Sequence, residues 1–216
     1  MIQTPTSMGR SMVGSRFATS SGERSDMSDI HVHGFTRHLR WTDYKEVNES
    51  PEEPFAANTD TSIKYTYRAV VEPDGKWHVT KVSVAVRFVP ESSWVVKEKK
   101  SHDLLKHEQA HYDIAAVAAA TLYRKLRHLK GDSSQSADDA VKQIADEIVG
   151  DSGVVGRVQK RYDEDLICGT NHGLGAEQQA IWEHRILRAH LNAQGTITDL
   201  DSCPRSGAKS KAASGG

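Results

Sequence analysis

The sequence predicts an α+β domain: a small antiparallel β-sheet in the N-terminal half, followed by a helical half led by one long helix. Three observations carry this. Apolar and aromatic side chains alternate with polar ones from Thr61 to Val71 and again from Val82 to Phe88, the period of two expected of half-buried strands. Between the two runs stands Glu72-Pro73-Asp74-Gly75-Lys76, in which Pro fixes one dihedral and Gly accepts a positive one, as a turn requires. After Ser101 the apolar spacing lengthens to that of helices and stays there. Sheet first and helices after is not the strand-helix alternation of a parallel α/β fold.

In chain order, a short strand is expected at His38 to Tyr44, and Glu49 to Pro54, rich in Pro and acid, is loop. The two alternating runs form a hairpin. Trp77 and Val79 lie on the opposite parity to Val82, which places a bulge near Thr80. Ser101 or Asp103 caps a helix that runs to Lys130, with Gly131 at its left-handed end and Ile114, Ala118, Leu122 and Leu126 as its apolar stripe. Ser136 and Asp139 open a second helix that buries Val141, Ile144 and Ile148 and stops at Gly150. A third helix, Val154 to Leu166, buries Val155, Val158 and Tyr162. Beyond the glycine-rich loop Cys168 to Gly175, a fourth turns Trp182, Ile186 and Ala189 to one side.

At 216 residues the chain has the size of one domain, placed at 30–198. Residues 1–29, rich in Ser, Thr, Met and Gly, lack the apolar centre of a secretory signal and read as a disordered tail, and low-complexity 199–216 as a second. With 28 basic and 29 acidic side chains the net charge is -1, so there is no electrostatic footprint for a nucleic-acid partner. No run approaches the roughly 20 apolar residues of a membrane span. Cys168 and Cys203 are too few for a disulfide scaffold, though they suffice for one bridge in an oxidising compartment.

The chemistry concentrates in His107-Glu108-Gln109-Ala110-His111. Four residues of helix advance about 400°, so the two imidazoles share a face one turn apart and can grip one ion. Glu108 lies about 100° round from His107, close enough to take a proton from water on that ion without ligating it. Chance alone gives this spacing about 0.03 times in a chain with this many His and Glu. Zn2+ is the natural metal for such ligands, and a catalytic zinc needs a third from the protein. The candidates downstream are His172, in a loop flanked by glycine, then Glu147, Asp163 and Glu164; His172 is favoured. Tyr112 and Tyr162 are candidates for stabilising an oxyanion, and Trp94 for contacting substrate, each with a plainer role as a buried structural aromatic.

The stretch from Leu104 to Ala115 resembles the hallmark of a bacterial zinc-dependent protease family built on a domain of unknown function, number 922. The similarity extends upstream to the alternating strands before Ser93-Trp94, and downstream to Tyr162-Asp163, Thr170-Asn171-His172-Gly173 and Gln178-Gln179-Ala180-Ile181-Trp182. It covers about Leu39 to Leu191. Ala110 stands where that family typically has Gly, and the stretch between Asp163 and Thr170 is longer than the family's. The resemblance implies a zincin-like metallopeptidase acting on a peptide or protein substrate, in a family whose members are often exported. The substrate backbone is expected along a sheet edge near Phe88 to Trp94. The alternative is a noncatalytic binding or structural module in which the histidine pair holds a structural metal or none.

Overall fold

The computed structural model describes residues 31–33, 36–192 and 195–203; the tail expected over 1–29, and the part of the second tail beyond Cys203, lie outside them. The hairpin organises the first half. Strands β4 (Thr61–Val71) and β5 (Trp77–Phe88) pair antiparallel, from Thr61 opposite Phe88 to Val71 opposite Trp77. Their turn places Gly75 at φ 82°, a conformation that costs a glycine little. The register passes from Arg68 opposite Lys81 to Ala69 opposite Val79. Thr80 is therefore the extra residue of a bulge, and it switches the inward parity from Val79 to Val82, as the sequence predicts.

Two further strands complete this sheet, β1 (His31–His33) parallel to β5 and β7 (Lys130–Gly131) antiparallel to it. A second sheet has the order β2 (Lys45–Val47), β6 (Trp94–Val96), β3 (Ala57–Asn58), parallel on one side and antiparallel on the other. Among the described residues the one antiparallel sheet expected is thus two small ones, each with a parallel pair. No strand forms over His38 to Tyr44. Residues Trp41–Asp43 make a 3-10 turn instead, because the Asp43 carboxylate accepts from Arg40 N at 2.9 Å and Asp43 N donates to Arg40 O at 2.8 Å, local bonds that compete with a ladder.

Helix α1 (His102–Arg127) begins at Ser101, whose hydroxyl accepts from Leu104 N. It ends three residues before the expected Lys130. Gly131 is needed elsewhere: a Cβ there would lie 2.4 Å from Trp77 Cζ2, and the Trp77 indole donates to Asp132 O and Gln135 O. Helices α2 (Ala137–Val149), α3 (Val154–Glu164) and α4 (Ala176–Leu191) pack around α1, which rests on the inner face of the hairpin. Ile114 to Ala119 are accordingly buried all round the helix and not only on the expected stripe, since alanine lets neighbours approach from every side. Helix α3 stops two residues early because Asp165 Oδ1 accepts from Ile167 N and Cys168 N, turning Leu166 and Ile167 out to solvent.

Packed structure also continues beyond 198. Ile197 and Leu200 are buried, Asp201 bonds Arg157 and Arg161, and a disulfide joins Cys168 to Cys203. Among the described residues no helix is long and apolar enough to cross a membrane.

Candidate metal centre

His107 and His111 project from the same face of α1, their rings 4.8 Å apart and nearly perpendicular, with Nε2 facing Nε2 at 3.2 Å. Helix α3 completes the group. Its stripe of Val155, Val158 and Tyr162 is buried, which carries the neighbouring Asp163 to the histidine pair. Asp163 Oδ1 lies 3.2 Å from His107 Nε2 and 3.0 Å from His111 Nε2.

The outer partners fix which nitrogens carry protons. Gln159 Nε2 donates to the carbonyl of His111 at 2.9 Å, so its Oε1 must accept from His111 Nδ1–H at 2.6 Å. Gln179 Nε2 donates to Glu183, which turns Gln179 Oε1 toward Tyr162 OH at 2.7 Å and His107 Nδ1 at 3.4 Å. Thr170 gives its hydroxyl proton to Tyr162 O and accepts from His107 Nδ1 at 3.3 Å. Both Nδ1 atoms thus point their protons outward, and both Nε2 lone pairs point inward. Two bare nitrogens and a carboxylate oxygen that is buried without a hydrogen-bond donor repel one another unless a cation lies among them. Tetrahedral zinc with bonds of 2.0–2.1 Å would set its ligand atoms about 3.3 Å apart, and the observed 3.0 to 3.2 Å fits.

Without a metal, a proton takes that place. Burial pulls the His111 imidazolium down, but the charge and hydrogen bond of Asp163, with Glu108 and Gln159 behind them, outweigh it and push His111 up to about 9. Burial pushes Asp163 up, and the two imidazoles reverse this, holding its carboxyl well below the usual carboxylate range. The folded value of His111 exceeds its unfolded value of 6.5, so its contribution to stability is complete below that pH and is lost as pH rises through about 9. The depressed Asp163 contributes in full above its ordinary value of 3.8 and loses that contribution progressively as pH falls below it. The metal-free chain is therefore expected to show a urea midpoint that falls between pH of about 6 and about 9, and a midpoint that stays level would contradict the pairing. A cation held there would displace that proton, so its affinity should rise over the same interval.

Glu108, 2 % exposed, accepts from Thr59 Oγ1 at 2.5 Å through Oε2, and Tyr44 OH is 2.7 Å from the same Thr59 oxygen. Burial, then the Glu108 charge, holds the Tyr44 phenol far above its ordinary range, so it stays protonated as a donor. The site opens on one side into a cleft of ≈ 130 Å³, walled by Phe55 to Thr61 and by His172, well above the roughly 10–15 Å³ that one water needs.

His172, favoured as third ligand, stands at the rim and outside the three-atom group: its Nδ1 is 3.9 Å from Asp163 Oδ1 and its ring packs on Phe55 at 4.5 Å. The third position near both imidazoles belongs to Asp163. The loop that carries His172 is left-handed at Asn171, His172 and Gly173, with φ of 48°, 51° and 83°, and a Cβ on Gly173 would meet the His107 side chain at 3.2 Å. Of the other candidates, Glu147 is exposed and paired with Lys125, while Glu164 is on the cleft wall near Lys160. Tyr162 stacks on His107 at 4.8 Å with its hydroxyl spent on Gln179. Tyr112 is fully buried with its hydroxyl toward Val86 O. Trp94 is buried in β6, whose two edges are taken by β2 and β3; among the described residues β3 is an outer strand of that sheet, and it walls the cleft. Gln159, Gln179, Thr170, Thr59 and Tyr44 were given no role by the sequence. A usable signal existed for one: Gln159 and Asp163 are one turn apart on α3, as His107 and His111 are on α1.

Residues 37–173 match a family of bacterial proteins of unknown function, DUF922. The chain belongs to that family. The DUF922 match takes in all three converging ligand atoms, Glu108 and His172, and ends before α4, which supplies Gln179 and Trp182. No curated protein and no solved structure gives a significant match to the chain.

Proposed function

We propose that this DUF922 chain is a zinc-dependent hydrolase of zincin-like build, and that the bond it cleaves is a peptide bond. The observation that carries the reading is the convergence of His107 Nε2, His111 Nε2 and Asp163 Oδ1 beside the carboxylate of Glu108. Two imidazoles and one carboxylate make a ligand set used by catalytic zinc, with a position left open. Bound there, zinc supplies Lewis acidity and brings the pKa of a water to about 7.

The chain's own groups do the rest. Glu108, held through Oε2 by Thr59, keeps its other oxygen to take the proton of the attacking water and to return it to the leaving amine. Gln159, Gln179 and Thr170 keep both imidazoles in the ligating tautomer. Substrate is expected to add as a strand along β3. Ala56 O accepts from Val96 N, so alternation along the strand turns the N–H and C=O of Ala57 away from β6, toward the open edge.

The test is metal analysis joined to hydrolysis of labelled casein. The purified chain should titrate to one zinc per molecule, lose casein hydrolysis to 1,10-phenanthroline and regain it with added zinc. A chain that takes up no zinc overturns the proposal.

A further inference from the structure

We infer that Thr59 is a positioning residue for Glu108, held in its turn by Tyr44, so that the wall of the cleft decides where the general base stands. This rests on the reading of Glu108 as that base. Thr59 follows β3 directly and reaches Glu108 Oε2 at 2.5 Å. A threonine hydroxyl has one proton, and a carboxylate can only accept it, so the Thr59 proton is committed to Glu108. The 2.7 Å contact with Tyr44 must then be donation from the phenol to Thr59 Oγ1. Both protons run in one direction along the chain, the phenol's to Thr59 Oγ1 and the Thr59 hydroxyl's to Glu108 Oε2.

The far end of the chain is fixed. Tyr44 is buried, with its ring edge-on to Trp41 at 5.2 Å and to Phe88 at 5.0 Å. Glu108 itself has three rotatable side-chain bonds, and it lines the cleft. A general base works within about 2.6–3.2 Å of the proton it takes, and a displacement of about 1 Å can cost 10²-fold. The short, charge-assisted bond from Thr59 removes that freedom.

Thr59→Val keeps the shape and deletes the hydroxyl, whereas Thr59→Ser keeps the hydroxyl. With zinc content unchanged, Thr59→Val should lower kcat on labelled casein by roughly 10- to 100-fold at little cost in KM, and Thr59→Ser should recover most of it. In a crystal structure of zinc-loaded Thr59→Val, the Glu108 carboxylate should leave its position or split into several conformers; this readout needs no turnover. A single, unmoved Glu108 conformer in Thr59→Val overturns the inference, and so does wild-type kcat in Thr59→Val when Glu108→Gln is inactive. Wild-type turnover in Glu108→Gln would instead remove the base assignment itself, and the positioning role with it.

Discussion

Glu108→Gln is expected to reduce casein hydrolysis by 10²- to 10⁴-fold, the range general-base catalysis supplies, while leaving one zinc per chain. The two halves of that result have separate causes. The amide has no basic oxygen to take a proton from water, but it can still accept the bond from Thr59 that the carboxylate accepts at 2.5 Å, so the fold of the cleft is kept. None of the three converging ligand atoms belongs to Glu108, so metal binding is kept too. Turnover that survives this substitution would leave a noncatalytic metal-binding module as the better description.

Asp163→Ala is expected to weaken zinc binding by more than the roughly 10- to 100-fold that loss of an outer partner costs, and His172→Ala by less. Asp163 Oδ1 is the atom that sits 3.0 to 3.2 Å from both imidazole nitrogens, and without it two ligands remain where catalytic zinc takes three. His172 Nδ1 stands farther off, 3.9 Å from Asp163 Oδ1, and the ring packs against Phe55. Competition against a chromogenic chelator measures both. The reverse order of effects would return the third position to His172.

What could be read from the sequence was set by local physics. The hairpin, the bulge at Thr80 and the serine caps of α1 and α2 follow from alternation and from hydrogen bonds a few residues long. The second sheet could not be read. Its strands are two or three residues each, too short to show a period, and they exist because distant segments pair. The site divides in the same way. His107, Glu108 and His111 were legible because one helical turn brings them together. Asp163 was only one acid among several, since its place depends on how α3 packs against α1. Thr59, Tyr44, Gln159 and Gln179 are isolated polar residues whose meaning comes from the partner that each meets in the fold. Thr170 and Gln179 stood within the segments that carried the family resemblance, but nothing in their spacing assigned them chemistry.

The Cys168–Cys203 bridge encloses the whole of α4, and with it Gln179 behind His107 and Trp182, whose indole donates to Cys168 O. Scission within that ring, next to the exposed Leu174 for example, would release no fragment. The severed molecule would migrate as one species until a reductant separated its two pieces, and until then α4 would stay tethered behind His107.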